Sequence, residues 1–213
     1  VSLKNELSAT FKAQPAVKLD KSFTDYACVA LIILDNNPTQ IGFIRRAITP
    51  TDRWSGQMAF PGGRREAFDA DDFATALREV QEEIGLDLTR ADHVGDLDDV
   101  QARRAGQLLP FFIRPFVFCI DEKPYLNLDP REVDSFHWVP IKSLLDPSEH
   151  IDFPYNREGT PVQLPGIRLP SQDILWGLTY MMVTNFLTKA RYSPAIAAHL
   201  GFPENFSYWR PYP

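Results

Sequence analysis

An α+β fold, with a mixed β-sheet between helical layers in an α/β/α sandwich, is what this sequence predicts, and three observations carry the expectation. Apolar runs of strand character and two amphipathic helical stretches follow one another in the order strands, helix, strands, helix. Clusters of turn residues such as "DNNP", "FPGG" and "DEKP" punctuate them. Hydrophobic residues make up 44% of the 213, enough to bury a substantial core in one large domain or a domain with extensions.

Taken in order, Leu3 to Lys12 is a polar lead of helical character. "DYACVALIIL" is rich in residues suited to a buried strand and ends at the "DNNP" turn. "TQIGFIRRAI" reads as its hairpin partner, followed by a polar loop "TPTDRWSGQ" and a short apolar "MAF" before Pro61. Asp71 or Asp72 caps a helix in which Phe73, Leu77, Val80 and Ile84 recur at helical spacing, and Gly85 is placed to stop it. "HVGDL", "PFFIRPFVFCI" and "DSFHWVPI" are further strands, separated by the polar "DDVQARRAGQ" and the turn-rich "DEKPYLNLDPRE". A second helix, "SQDILWGLTYMMVTNFLTK", has Ser171 as its cap and Ile174, Leu175, Leu178, Met182 and Phe186 near helical spacing, and is expected to cover the sheet's other face. The organisation expected is an N-terminal extension over residues 1–25, one domain over 26–190, and a Pro/aromatic tail over 191–213 packed on it.

A formal charge of -6 and a pI near 5.2 argue against the broad phosphate-binding surface of a duplex-binding protein. Cys28 and Cys119 each sit inside an apolar run, so they read as buried thiols of a reducing compartment rather than a disulfide framework. No stretch approaches the roughly 20 apolar residues that span a bilayer, and "SYWRPYP" carries no peroxisomal tripeptide or lipidation signal. A cytoplasmic monomer or homodimer is expected, with an organellar destination left open. His93, His137, His150 and His199 are scattered without zinc spacing and are set aside as metal ligands.

The informative stretch is "FPGGRREAFDADDFATALREVQEEIGL". At about 100 degrees per residue, the apolar set of its helix falls on one face and Glu79, Glu82 and Glu83 on the other, where they converge outside the core. Glutamates at i, i+3 and i+4 offer several oxygens to a hard divalent cation, Mg2+ or Mn2+. By itself "REVQEE" is equally a solvated face with an Arg78 to Glu82 pair. The Pro-Gly-Gly turn upstream, which lets backbone approach a ligand closely, and the Gly85 stop tilt the reading toward a site.

These residues resemble the Nudix hydrolases, whose box is written G-x5-E-x7-R-E-U-x-E-E-x-G-U with U a bulky aliphatic. "REVQEEIGL", Arg78 to Leu86, matches its second half at every specified position. In the first half one residue looks inserted, with Asp69 or Glu66 standing in for the family's first Glu. That arrangement, together with "TALRE", "PFFIRPFVF" and "WGLT", looks like the coenzyme A diphosphatase branch, whose upstream signature usually has a His where this chain has Trp54.

The resemblance implies a Nudix-type fold and metal-dependent hydrolysis of a diphosphate linkage in a nucleoside diphosphate derivative, a small-molecule substrate, most plainly coenzyme A or a CoA-like conjugate. NADH, ADP-ribose, a nucleotide sugar, a dinucleoside polyphosphate or capped RNA are the alternatives, and a non-catalytic nucleotide-binding module is the alternative of another class. Glu79 and Glu83 are the first choices as metal ligands, with Glu82 as a further ligand or the base, and the Gly62 or Gly63 carbonyl as an added donor. Arg78 orients a glutamate through a charge-assisted bond. Glu132, in a loop after the box, is the leading extra ligand or base, with Asp98 and Asp99 behind it. Arg53 and Arg64 flank the glycine turn and, with Trp54, are the substrate-binding candidates; Arg45, Arg46, Arg103 and Arg104 are further phosphate partners and Phe112 an alternative stacking group.

Overall fold

Ser2 opens the first helix, α1 (Leu3–Ala13), by accepting the Asn5 amide, and Leu3, Leu7 and Phe11 recur at helical spacing to bury one face. The computed structural model describes residues 2–20, 25–50, 52, 54–104, 107–157, 159–203 and 206. Five segments then build the centre: β1 (Asp25–Leu34), β2 (Gln40–Arg46), β3 (Met58–Ala59), β4 (Gly62–Arg64) and helix α2 (Asp72–Ile84). They are followed by β5 (His93–Asp96), β6 (Val100–Arg104), β7 (Gln107–Ile120), β8 (Val133–Pro140) and a short helix α3 (Ile141–Leu144). A hairpin of β9 (His150–Arg157) and β10 (Thr160–Arg168), the short β11 (Ile174–Trp176), and helices α4 (Gly177–Arg191) and α5 (Pro194–Leu200) complete the order.

The main sheet is mixed. β1 runs parallel to β7 over ten paired positions, and β2, β4 and β8 join antiparallel. Because the sheet is covered on both sides, β1 reads as a continuous apolar run rather than an alternating one. Its Cys28, Ala30 and Ile32 face α2, whose Phe73, Ala76, Val80 and Ile84 complete one core. Val29, Leu31 and Ile33 face the other way, into a core shared with α1, α4 and α5. The expected α/β/α sandwich is therefore present, with the second strong helix on the face opposite α2.

Three features depart from the sequence expectations. The second helix does not start at Ser171: Ile174–Trp176 is a strand whose Leu175 is buried against Ile167, and the helix begins at Gly177, where a φ of 65° breaks continuity with the chain before it. The β9–β10 hairpin, which with β11 forms a second sheet, lies in a stretch for which the sequence offers no assigned element and which contains Pro154, Pro161 and Pro165. Pro154 lies on an edge strand, and Pro161 and Pro165 lie on β10 outside the three residues that pair with β11, so no ladder bond is lost. β6 falls in the polar stretch expected to separate two strands, yet Val100 and Ala102 are buried and the segment pairs with β7.

Two anchors fix where α2 sits. Asp71 accepts the Ala74 amide at 2.7 Å, and Gly85, at φ 68°, ends the helix. Asp72, at the first turn, accepts from Tyr26 at 2.9 Å and from Arg114 of β7, whose guanidinium also grips Asp99 at 2.6 and 3.1 Å. Arg114 thereby ties α2, β7 and, through Leu19 O, the N-terminal strap into one frame. No helix among the described residues is long and apolar enough to cross a membrane.

Both cysteines are free and fully buried, as their apolar contexts imply. Burial pushes each thiol up to about 12, because the interior disfavours the thiolate. At pH 8 the native protein is therefore expected to show no thiol reactive toward a disulfide reagent, and both should titrate in denaturant. Reaction of either at native rates near those of free cysteine would contradict the packing.

Candidate active site

Gly62 is where the sheet meets the carboxylate helix. It pairs opposite Val29 with a φ of 150°, and an added Cβ would lie 2.3 Å from Cys28 O. Only glycine lets β4 run this close to β1. The reward is an amide aimed at α2: Gly62 N–H donates to Glu83 Oε2 at 2.8 Å. Gly63 serves the second carboxylate, since a Cβ there would meet Glu79 Oε1 at 2.5 Å.

Glu83 is only 1% exposed, which corrects the expectation that the carboxylates stand clear of the core. The part of the helical face that bears Glu79 and Glu83 packs against β4 instead of solvent. Burial pushes the Glu83 carboxyl up to about 8, the Gly62 amide opposes that rise, and the neighbouring Glu79 and Glu132 add to it. Glu79 is likewise raised by burial, against the pull of Arg78.

Arg78 is the hub on the exposed side. Its Nη1 donates to Glu79 Oε1 at 2.9 Å and Glu82 Oε2 at 2.8 Å, while Nε and Nη2 fork onto Asp69 at 2.9 and 3.0 Å. Asp69 also accepts from Thr75 Oγ1 and the Glu66 amide, and the Arg78 bonds hold its carboxyl well below the usual range. Of the two candidates for the family's first Glu, it is Asp69 and not Glu66 that Arg78 bonds. Nη2 of Arg78 further donates to Arg64 O at 3.1 Å, coupling the helix to the glycine turn.

Glu132 arrives from the opposite side by a chain of backbone bonds. Asn127 N–H donates to Ile84 O and Asp129 N–H to Glu83 O, both at 2.9 Å, so the loop after β7 folds onto the end of α2. A side chain on Gly85 would push that loop away, since its Cβ would lie 2.9 Å from Asn127 Cβ. Ala47 N–H then donates to Glu132 O at 2.8 Å. One oxygen each of Glu79, Glu83 and Glu132 comes within 4.8 Å of the others, a set of hard oxygen donors that fits Mg2+ or Mn2+ and offers nothing to a softer metal. Glu82 is not in this group: its side chain is 55% exposed and bonded to Arg78.

The remaining candidates divide. Arg64 forks onto Asp25 at 2.8 and 3.2 Å, and Trp54 lies 5.6 Å from Phe111. Phe112 is fully buried and stacked on Tyr26 at 4.9 Å, so it cannot stack on a ligand. Asp98 and Asp99 are bonded elsewhere, to Lys189, Asn185 and Val17 N in one case and to Arg114 and Leu19 N in the other. Arg45 faces Asp134 and Asp173, Arg103 is exposed on β6, and Arg53 and the Arg104 side chain lie outside the described residues. Sequence reasoning undervalued Arg46, which pairs with Asp52 at 2.9 Å beneath the Trp54 loop and draws the Glu83 carboxyl downward. Its only sequence signal was a place at the end of β2.

The two glycines should respond differently to a methyl group. Gly62→Ala meets backbone and is expected to cost about 3 kcal/mol or more. Gly63→Ala meets not backbone but the Glu79 carboxylate, which can give way by loosening its bond to Arg78, and should cost less than Gly62→Ala. Urea unfolding of both checks this; equal losses would contradict the placement of the turn.

Comparison with known proteins identifies the family and the fold. The NUDIX domain model matches residues 25–158. A protein of Schizosaccharomyces pombe without an assigned activity is 44% identical over 107 residues, covering 49% of this chain but only 32% of that protein's length. A mitochondrial coenzyme A diphosphatase of Mus musculus is 28% identical over 148 residues, covering 68% of this chain and 69% of that one. Among solved structures, a MutT/nudix family protein from Enterococcus faecalis shares the fold, with a TM-score of 0.56, 18% identity and coverage of 94% of this chain and 75% of that one. With its box intact from Arg78 to Leu86 and the domain model matched over more than half its length, the chain belongs to the Nudix family.

Proposed function

We propose that this chain hydrolyses the diphosphate linkage of a nucleoside diphosphate derivative, coenzyme A or a CoA-like conjugate, in the presence of Mg2+ or Mn2+. The observation that carries the reading is the buried Glu83 carboxylate facing Glu79 and Glu132, with no cationic side chain among the described residues bonded to it. Charge crowded this way disfavours ionisation, and a divalent cation is the group that relieves it.

Glu79, Glu83 and Glu132 would hold the cation, with the Gly62 carbonyl as a further oxygen donor. When bound, such a cation neutralises diphosphate oxygens and acts as a Lewis acid toward phosphorus. The chain's own groups do the rest. Glu132, which is exposed, would take the proton of an attacking water on the carboxylate oxygen not turned to the cation, a role for which Glu82 is the alternative. Arg78 is a positioning residue that fixes Glu79 and Glu82 through the bonds described above. Arg64, in β4, and Trp54 and Arg53, in the sequence ahead of β3, are the substrate-binding residues of this reading. The coenzyme A preference draws on the mouse relative and on the segments resembling that branch; Trp54, in place of the usual His, leaves room for another conjugate.

The test is a product-resolved assay with Mg2+ or Mn2+ across coenzyme A, acyl-coenzyme A, NADH, ADP-ribose, nucleotide sugars and dinucleoside polyphosphates. Coenzyme A is expected to yield adenosine bisphosphate and phosphopantetheine, a chelator to abolish turnover, and Glu83→Gln to lower kcat/KM by about 100-fold or more. Turnover undiminished by chelation would sink the proposal. Within the same assay Glu132→Gln should cost more than Glu82→Gln, and the reverse order would move the base to Glu82.

A further inference from the structure

One aromatic residue beside the site has no role so far. Phe111 pairs in register with Asp25 at the start of the parallel β1–β7 ladder, partly buried, with its ring turned toward the glycine turn. Arg64 lies over it, guanidinium carbon 5.9 Å from the ring centroid, and the Trp54 ring approaches it at 5.6 Å with a tilt of 30°. Both neighbours are held in place. Asp25 occupies Nε and Nη2 of Arg64, which leaves that guanidinium better suited to present a flat face than to grip a phosphate. Trp54 N–H donates to Asp52 Oδ1 at 3.0 Å, Asp52 is gripped by Arg46, and Gln57 N–H donates to Trp54 O at 3.1 Å.

The wall these three groups form meets the carboxylates across the backbone of β4. Gly63 turns its open side to Glu79, so Arg64, the next residue, sends its side chain to the opposite face of the sheet, while its carbonyl accepts from the same Arg78 that bonds Glu79. A nucleoside attached to a diphosphate at the carboxylates would therefore cross the glycine turn to lie on this wall. Planar π-faces and a neutralised guanidinium favour a flat heteroaromatic ring over a phosphate or an aliphatic chain.

We propose that Phe111, with Trp54 and Arg64, is the surface on which the planar base of the nucleotide stacks, making Phe111 a specificity-determining residue. The proposal rests on the diphosphate reading above, and its test separates the two. ADP and inorganic pyrophosphate are each titrated calorimetrically, with Mg2+, into the full chain and into Phe111→Leu, Trp54→Leu and Phe111→Tyr. Phe111→Leu and Trp54→Leu are expected to weaken ADP by about 5-fold to 100-fold while leaving pyrophosphate affinity unchanged, which also shows that the variants are folded. Phe111→Tyr, which keeps the ring face, should retain the wild-type ratio of the two affinities. If ADP binds and the ratio is unmoved in Phe111→Leu and Trp54→Leu, the wall is overturned and the diphosphate reading stands. If the wild-type chain binds neither ligand with Mg2+, both fall.

Discussion

A carboxylate almost sealed from water is the constraint around which the site is built. Removing an ion from water costs several kcal/mol even after relaxation, and Glu83 recovers only part of that from one backbone amide. Glu79 and Glu132 nearby make its ionisation harder still. An arrangement so unfavourable on its own persists only where the surrounding fold fixes every participant. The Asp71 cap and the Gly85 stop set the ends of α2, Arg114 pins its first turn through Asp72, and the loop to Glu132 is bonded to its last.

The positive charge nearby is distributed with a consequence. Arg78 is fully engaged with Asp69, Glu79 and Glu82, so the carboxylate that most needs compensation is not the one it contacts. Arg46 acts on Glu83 only through space while its guanidinium is bonded to Asp52. The protein thus supplies rigidity to one side of the cluster, and in the proposed reading a cation compensates the other. The same division explains the two glycines: one admits the strand close enough to donate to Glu83, the other leaves room for the Glu79 carboxylate.

Much of this was legible in the sequence because it depends on local spacing. The period of Phe73, Val80 and Ile84, the Asp and Gly at the helix ends and the apolar run of β1 each carry their own signal, and the box from Arg78 to Leu86 carries the family. What spacing does not carry is the partner across a gap. Glu83 looked solvated because the helix alone does not reveal that β4 packs on its polar face. Phe111 and Phe112 are adjacent and chemically alike, and only the register of β7 on β1 decides which is buried against Tyr26 and which faces the glycine turn. The prolines of β9 and β10 give no strand signal of their own, because their place in a strand depends on which edge is unpaired.

The central claim is that a divalent cation sits among Glu79, Glu83 and Glu132. Anomalous diffraction at the manganese edge, from crystals of the chain grown with Mn2+, addresses it most directly. The account predicts a peak bonded to oxygens of those three residues, lost in Glu83→Gln. A peak held by other residues, or one that survives intact in Glu83→Gln, would contradict it.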